Sequence, residues 1–328
     1  MRYVTLGGGL PDASAIVFGC ASMGGRVGAR EARRALDAAH DAGVNFFDTA
    51  RSYGLGESER ILGAFLKGKR DRVVLCTKAG TYARPPSRAK RLLKDLVRPL
   101  LKRAPALRKK VGGAVMRAET KSAVFSVPQM RASLEDSLRE LGTDYLDVLL
   151  LHQAPAEVAE HEQVLAFFEA VVREGKARRW GISTGLAETD AIVARIGGRA
   201  QVLQFPMQAT SPEPARTAGG YEHALRMANH AFGGGGTLPL VKSSLRRVAK
   251  GASPELRAKI EAPEDDTPVD FLLNGLLATG AADVVVAASF SADHWARNAR
   301  VAGDSRFTRE ELAWLRAAVT ADLAMTAT

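Results

Sequence analysis

Short apolar runs alternate along the chain with stretches whose apolar residues return every three or four positions. Eight runs read as strands: residues 15–18, 45–48, 73–77, 146–151, 179–183, 202–205, 238–241 and 284–287. Helical spacing predicts amphipathic helices over 29–42, 57–66, 128–141, 162–174, 189–196, 222–232 and 269–279, with one more after the last unit at 309–323. Strand followed by helix, repeated through the chain, is the pattern of βα units on a parallel sheet. Eight repeats predict a closed (β/α)8 TIM barrel with a C-terminal extra helix, built as one domain over residues 1–328.

A doubly wound open sheet is the rival architecture. Such a fold carries GxGxxG after its first strand, whereas this chain has Gly19-Cys20-Ala21-Ser22-Met23-Gly24-Gly25 there. The glycine run 233–236 falls between a predicted helix and a predicted strand and reads as a surface connection. One step breaks the rhythm: from Lys78 to the strand at 146 is far more than one connection needs, which predicts an insertion over about 81–125 after strand three.

Charge sharpens that division. The net charge is +10, yet residues 84–121 alone hold 13 Lys/Arg against Asp95 and Glu119, so the rest of the chain is close to neutral. Within this segment Leu92, Leu93, Leu96, Val97, Leu100 and Leu101 follow helical spacing, interrupted by Pro99, which predicts a basic amphipathic helix. A lid over the barrel mouth is the preferred reading, because the insertion leaves directly after Lys78; docking to an anionic membrane surface or acidic partner is the alternative. The segment has no aromatic residue, which argues against base-stacking recognition of nucleic acid.

Other features exclude further classes. No apolar run is long enough to span a bilayer, and the first residues lack the blocks of a signal peptide, so a cytoplasmic location is expected. Cys20 and Cys76 are flanked by apolar residues and read as small buried side chains, and no His/Cys grouping suggests a metal.

Catalytic groups of a barrel sit where strands end, so polar residues closing apolar strands are the candidates. Asp48 ends Phe46-Phe47-Asp48, Lys78 follows Val73-Val74-Leu75-Cys76-Thr77, and His152 follows Val148-Leu149-Leu150-Leu151. Tyr53 lies on the loop just beyond Asp48. Singly, each would be read as a cap or solvated strand end; together, at successive strand ends, they form a set suited to giving a proton to a carbonyl oxygen. A free phenol titrates near ~10, and an adjacent ammonium would lower it. Asp48 would hold Lys78 charged, and a neutral His152 would orient the carbonyl.

These residues also carry a resemblance. Asp48-Thr49-Ala50-Arg51-Ser52-Tyr53-Gly54-Leu55-Gly56-Glu57-Ser58-Glu59, followed by Leu62-Gly63, is similar to the signature of the aldo-keto reductase family. Leu138-Arg139-Glu140-Leu141-Gly142-Thr143-Asp144-Tyr145-Leu146-Asp147 with His152 resembles a second. The resemblance implies a (β/α)8 barrel, a catalytic tetrad of Tyr53, Asp48, Lys78 and His152, and reduction of a small aldehyde or ketone with NADPH, NADH being the alternative. For the cofactor it implies Gly19, Cys20, Ala21 and Asp48 near the first strands, Ser183 and Thr184 after strand five, and Gln204 for the carboxamide. Where the family has Tyr-Ser-Pro-Leu after strand seven, the chain is aligned as Lys242-Ser243-Ser244-Leu245, so Lys242, Ser243 and Leu245 are expected at the nicotinamide. Beyond the last strand, Ser289, His294, Arg297 and Asn298 are expected at the adenosine end, His294 and Arg297 as contacts for a 2′-phosphate.

An enzyme is thus the first hypothesis. A cofactor-binding sensor module and a scaffold for membrane or acidic-partner docking are the alternatives, and the pattern sets no oligomeric state.

Overall fold

The computed structural model describes residues 1–7, 9–82, 125–211, 221–234, 236–262 and 266–326. Eight parallel strands close on one another: β1 (Ile16–Gly19), β2 (Phe46–Asp48), β3 (Val74–Ala79), β4 (Leu146–His152), β5 (Ala177–Ser183), β6 (Val202–Pro206), β7 (Leu225–Asn229) and β8 (Val284–Ala287). β8 completes the circle by pairing with β1 in the register Val285 to Ile16 and Ala287 to Phe18. The (β/α)8 barrel expected from the sequence is therefore present.

Alternation along the strands assigns the two faces. Val17, Phe46, Val74, Cys76, Val148, Leu150, Val202, Met227 and Val284 fill the lumen, while Phe18, Phe47, Leu75, Leu149, Leu151, Ile182, Leu203 and Val285 face the helices. Both sets are buried, which is why the strands read as continuous apolar runs. Truncating a fully buried ring such as Phe46 to alanine would cost about 3–5 kcal/mol.

Before the barrel, an antiparallel ribbon of Tyr3–Val4 and Ala13–Ser14 carries Leu6 and Leu10 into the lumen cluster. Arg178 at the start of β5 donates to the Gly9 carbonyl at 2.8 Å, and Arg179 donates to that of Leu6. The ribbon thus plugs the end where strands begin. Chemistry is left to the opposite end.

The helices are α1 (Ala29–Asp41), α2 (Ser58–Leu66), α3 (Val127–Leu141), α4 (Glu162–Arg173), α5 (Leu186–Ile196), α6 (Thr237–Val248), α7 (Pro254–Ile260), α8 (Thr267–Leu277), α9 (Ala292–Gly303) and α10 (Arg309–Thr326). α3 shows how sequence sets such bounds: Pro128 sits in its first turn, Met130, Leu134, Leu138 and Leu141 are buried at helical spacing, and Gly142 ends it with φ of 69°. α10 is the expected extra helix, and its Asp322 takes Ser244 Oγ and Arg247 of α6, each at 2.6 Å.

Two expectations fail together. Residues 238–241 are not strand seven but part of α6, where Val241 is buried and Leu240 is 61% exposed, an amphipathic division that a barrel strand does not make. Strand seven is instead β7, inside the segment 222–232 expected to be helical. Its Arg226 looks foreign to a barrel strand; the Asp283 carboxylate just before β8 receives its backbone N–H at 2.8 Å and its guanidinium at 2.7 Å. That tertiary pairing outweighs local propensity. Apart from Thr81, Tyr82 and Phe125, the insertion expected over 81–125 lies outside the described residues, and so do the basic helix and the lid and membrane readings placed on 84–121.

Candidate active site

Strand register brings the sequence candidates to one level. Asp48 pairs with Gly19 and Cys76, and His152 pairs with Ser183, which pairs with Gln204. All lie at the C-terminal ends of their strands, the mouth of the barrel. Three non-glycine residues with positive φ, Leu55, Gln153 and His230, follow β2, β4 and β7 and so ring the same mouth. Backbone strain of this kind, about 1–3 kcal/mol each, collects at functional sites.

Tyr53 is placed by the loop after β2. Thr49 Oγ1 and Ser58 Oγ are 3.0 Å apart, and Ser58 donates onward to the Cys20 carbonyl at 3.0 Å. Gly54, with φ of 61°, lets the turn press on its neighbour, since a Cβ there would lie 1.7 Å from the Met23 carbonyl oxygen. The Tyr53 ring then stands edge-on to His152, centroids 5.8 Å apart at 83°, and 4.9 Å from Lys78 Nζ.

Lys78 Nζ donates to Asp48 Oδ1 at 2.5 Å and to the Thr49 carbonyl at 2.9 Å. Asp48, Lys78 and His152 are all buried. Burial, the largest single influence, would lower the Lys78 ammonium, but Asp48, with Tyr53 and Cys76 adding to it, more than offsets that and holds the group above its ordinary value. His152 is pushed down to about 3 by burial and by the Lys78 charge, and is neutral at pH 7. For Tyr53, burial raises the phenol above its ordinary range, with Asp48 adding to the rise and Lys78 opposing it. The net direction is upward, so the lowering expected from Lys78 is an opposing influence within a raised pKa.

Most of the positions expected at a cofactor fall into three groups. Ser183 Oγ donates to Gln204 Oε1 at 2.6 Å, which leaves Gln204 Nε2 buried without a hydrogen-bond partner. Thr184 Oγ1 donates to the Ala154 carbonyl at 2.9 Å. Near β8, Ser289 Oγ and His294 Nδ1 are 2.9 Å apart, Asn298 Oδ1 is buried and unpaired, and Arg297 Nε is 3.8 Å from Asp266 Oδ1. On the first strand, Gly19 lies close against β8, Cys20 is buried with its thiol turned to the Phe18 carbonyl, and Ala21 is exposed.

Lys242, Ser243 and Leu245 are not brought to this mouth as expected. They lie within α6, where Leu245 is buried in the core, because the strand thought to precede them is helix. β7 ends at Asn229 and runs into His230-Ala231-Phe232, then Gly233 and Gly234. His230 is exposed and has φ of 56°, with Nδ1 2.7 Å from Asn229 Oδ1. The signal that could have found this loop is the glycine run, which stands between a strand and a helix N-terminus, the arrangement that suits a phosphate. Among the described residues no group of three or more His, Cys, Asp or Glu could hold a metal ion, and no helix is long and apolar enough to cross a membrane.

The chain is similar to several known proteins. A D-threo-aldose 1-dehydrogenase of a Pseudomonas species is 33% identical over 216 residues, 61% of each chain. The Alternaria alternata protein named aldo-keto reductase AFTS1 is 32% identical over 171 residues, 50% of this chain and 43% of its own. The matched stretch thus spans between about two fifths and three fifths of these relatives' length. Among solved structures, the holo form of aldo-keto reductase AKR11C1 from Bacillus halodurans superposes with a TM-score of 0.72 at 20% identity, covering 98% of this chain and 96% of that one. An aldo/keto reductase from Klebsiella pneumoniae in complex with NADP and acetate gives 0.56 at 24% identity, covering 94% and 92%. These two likenesses establish a shared fold. The model of the aldo/keto reductase family matches residues 15–207, from β1 through β6, and the chain belongs to that family.

Proposed function

We propose that the chain reduces an aldehyde or ketone to an alcohol with a nicotinamide cofactor, Tyr53 being the proton donor. The observation that carries this reading is the cluster of half-buried Tyr53 with buried Lys78, Asp48 and His152 at the barrel mouth. Asp48 keeps Lys78 charged despite burial. The ammonium beside the Tyr53 ring stabilises the phenolate left once the proton has moved to the carbonyl oxygen. Burial keeps the phenol protonated beforehand, so it meets the substrate as an acid. His152, neutral throughout the physiological range, retains one N–H to hydrogen-bond and orient the carbonyl oxygen.

The unpaired polar atoms fit a nicotinamide dinucleotide. Gln204 Nε2 is a buried donor held ready by Ser183 for a carboxamide oxygen, and Asn298 Oδ1 is a buried acceptor toward the adenosine end. Ser289, His294 and Arg297 supply polar and cationic groups beside it, and the Asn229–Gly234 loop with the α6 N-terminus is suited to phosphate. When bound, the reduced cofactor supplies the hydride. NADPH is favoured over NADH because Arg297 and His294 lie together, and the Klebsiella pneumoniae relative is a complex with NADP. The Pseudomonas relative's naming as a sugar dehydrogenase admits the reverse reaction, in which Tyr53 takes up the proton.

The test is fluorescence titration of the purified protein with NADPH and NADH, followed by turnover on a panel of aromatic aldehydes, with Tyr53→Phe as comparison. Wild-type turnover lost in Tyr53→Phe with cofactor binding intact is the expected result. A variant keeping more than roughly a tenth of wild-type turnover would remove Tyr53 from the role of acid.

A further inference from the structure

Beside the mouth lies a second buried charge cluster that the reaction above does not use. Glu59, in the first turn of α2, is 1% exposed, and Arg51, two residues before Tyr53, is 6% exposed. Glu59 Oε1 accepts from Thr77 Oγ1 at 2.7 Å, and Oε2 accepts from Arg51 Nη1 at 3.2 Å. Arg51 Nη2 reaches on to Asp136 Oδ2 of α3 at 3.6 Å. A hydrogen bond from Ser137 of α3 also bears on the Glu59 carboxyl.

Two of the partners of Glu59, Thr77 and Arg51, stand within two residues of the proton-transfer groups along the chain. Thr77 immediately precedes Lys78 on β3 but points to the opposite face, toward α2, while Lys78 points into the barrel. Arg51 belongs to the turn that ends in Tyr53. One carboxylate therefore holds the strand that carries the ammonium and the loop that carries the phenol. α2 is itself fixed against α3 at Gly63, where a Cβ would lie 2.3 Å from the Glu140 carbonyl oxygen.

We propose that Glu59 is a positioning residue: through Arg51 and Thr77 it sets the spacing between the Tyr53 ring and Lys78 Nζ. The inference rests on the proposed role of Tyr53 and extends it to a residue that touches neither substrate nor cofactor. A buried carboxylate is a costly way to fill space, since burial opposes its charge, and a guanidinium with two hydroxyls is what keeps it there. The cost has a return in geometry. Charge-assisted hydrogen bonds hold a short, directional distance that apolar packing does not.

The experiment reads Tyr53 directly. The chain has five tyrosines, so ring-labelled tyrosine in the cofactor-free protein gives few NMR signals, and the one absent from Tyr53→Phe is Tyr53. The groups facing it are Lys78, Asp48, His152 and Cys76. Glu59→Gln keeps an oxygen for Thr77 and removes the negative charge that faces Arg51. With the spacing relaxed, Lys78 opposes the burial of Tyr53 less, and its titration moves up by about half a pH unit or more. With NADPH and 4-nitrobenzaldehyde, kcat falls about tenfold while KM stays within about twofold, the pattern of a lost transition-state arrangement. Thr77→Val, which removes one strut and leaves the charges, gives a smaller shift in the same direction, and Thr77→Ser restores it. Should Glu59→Gln fail to fold, the threonine pair decides. A Tyr53 titration and kcat unchanged in folded Thr77→Val and, where it folds, in Glu59→Gln overturns the proposal. Turnover retained in Tyr53→Phe would instead sink the assignment of the acid while leaving the titration to report on positioning.

Discussion

Ser183 donates its hydroxyl to Gln204 Oε1 at 2.6 Å, and this bond decides which end of the Gln204 amide is free. The oxygen is taken and the buried nitrogen is not, so the side chain offers a donor. Leaving such a donor unpaired costs about 1–3 kcal/mol, which a ligand oxygen would recover on binding.

Gln204→Leu is accordingly expected to weaken NADPH and NADH alike, by about five- to 150-fold. Ser183→Ala frees the amide to turn and should weaken both by a smaller factor. Cofactor fluorescence titration checks this; an unchanged dissociation constant in Gln204→Leu would remove the carboxamide role.

Lys78→Met should be about as damaging to kcat as Tyr53→Phe, because without the ammonium nothing charged offsets burial of the phenolate. Losses of about 100-fold or more are expected for each, and the double variant should lose little beyond either single one. A double variant whose losses multiply would show the two residues acting independently.

At the other end of the cofactor, Arg297→Ala should cost NADPH more than NADH. A charge-assisted contact to a phosphate contributes about 1.5–3 kcal/mol, so a tenfold or larger loss for NADPH is expected, with NADH nearly unaffected. Equal losses for both cofactors would place Arg297 away from the 2′-phosphate.

His152 gives a pH-dependent stability with a definite sign. Its folded-state pKa of about 3 lies below the ordinary 6.5, so between these values the unfolded chain binds the extra proton. The stability contributed by a neutral imidazole is fully present above pH ~6.5 and is lost as pH falls toward 3. Between pH 6.5 and 5 the loss is about 2 kcal/mol, less whatever local relaxation relieves. Urea denaturation of wild type and His152→Gln at both pH values isolates this, since Glu59 and Asp147, both raised by burial, act with the opposite sign in both proteins. Parallel pH dependences in the two proteins would be the contrary outcome.

Legibility in the sequence followed the barrel's own construction. Asp48, Lys78 and His152 could be found because each polar group closes an apolar strand, and a strand end needs no knowledge of the rest of the fold. Tyr53 came with them through the motif. Beyond β6 the local signal reversed: Arg226 sits in a strand because Asp283, far along the chain, receives it, and residues 238–241 form helix because Val241 faces a core while Leu240 does not. The family match also ends at residue 207, so resemblance offered no correction there. The Ser183–Gln204 bond and the Glu59 cluster were invisible for another reason: each depends on which face a side chain takes once neighbouring strands are in register.

The closing pair of the barrel bears on how the chain is made. Ile16 and Val285 are opposite one another, so β1 is synthesised well before β8 and waits for all the intervening strands and helices before its free edge is covered. Until then the growing sheet has two open edges, and the backbone amides along β1 are available to any other extended segment. The finished core gives β1 no protection over that interval, so synthesis rate and chaperone access bear on how much of this protein reaches its folded form.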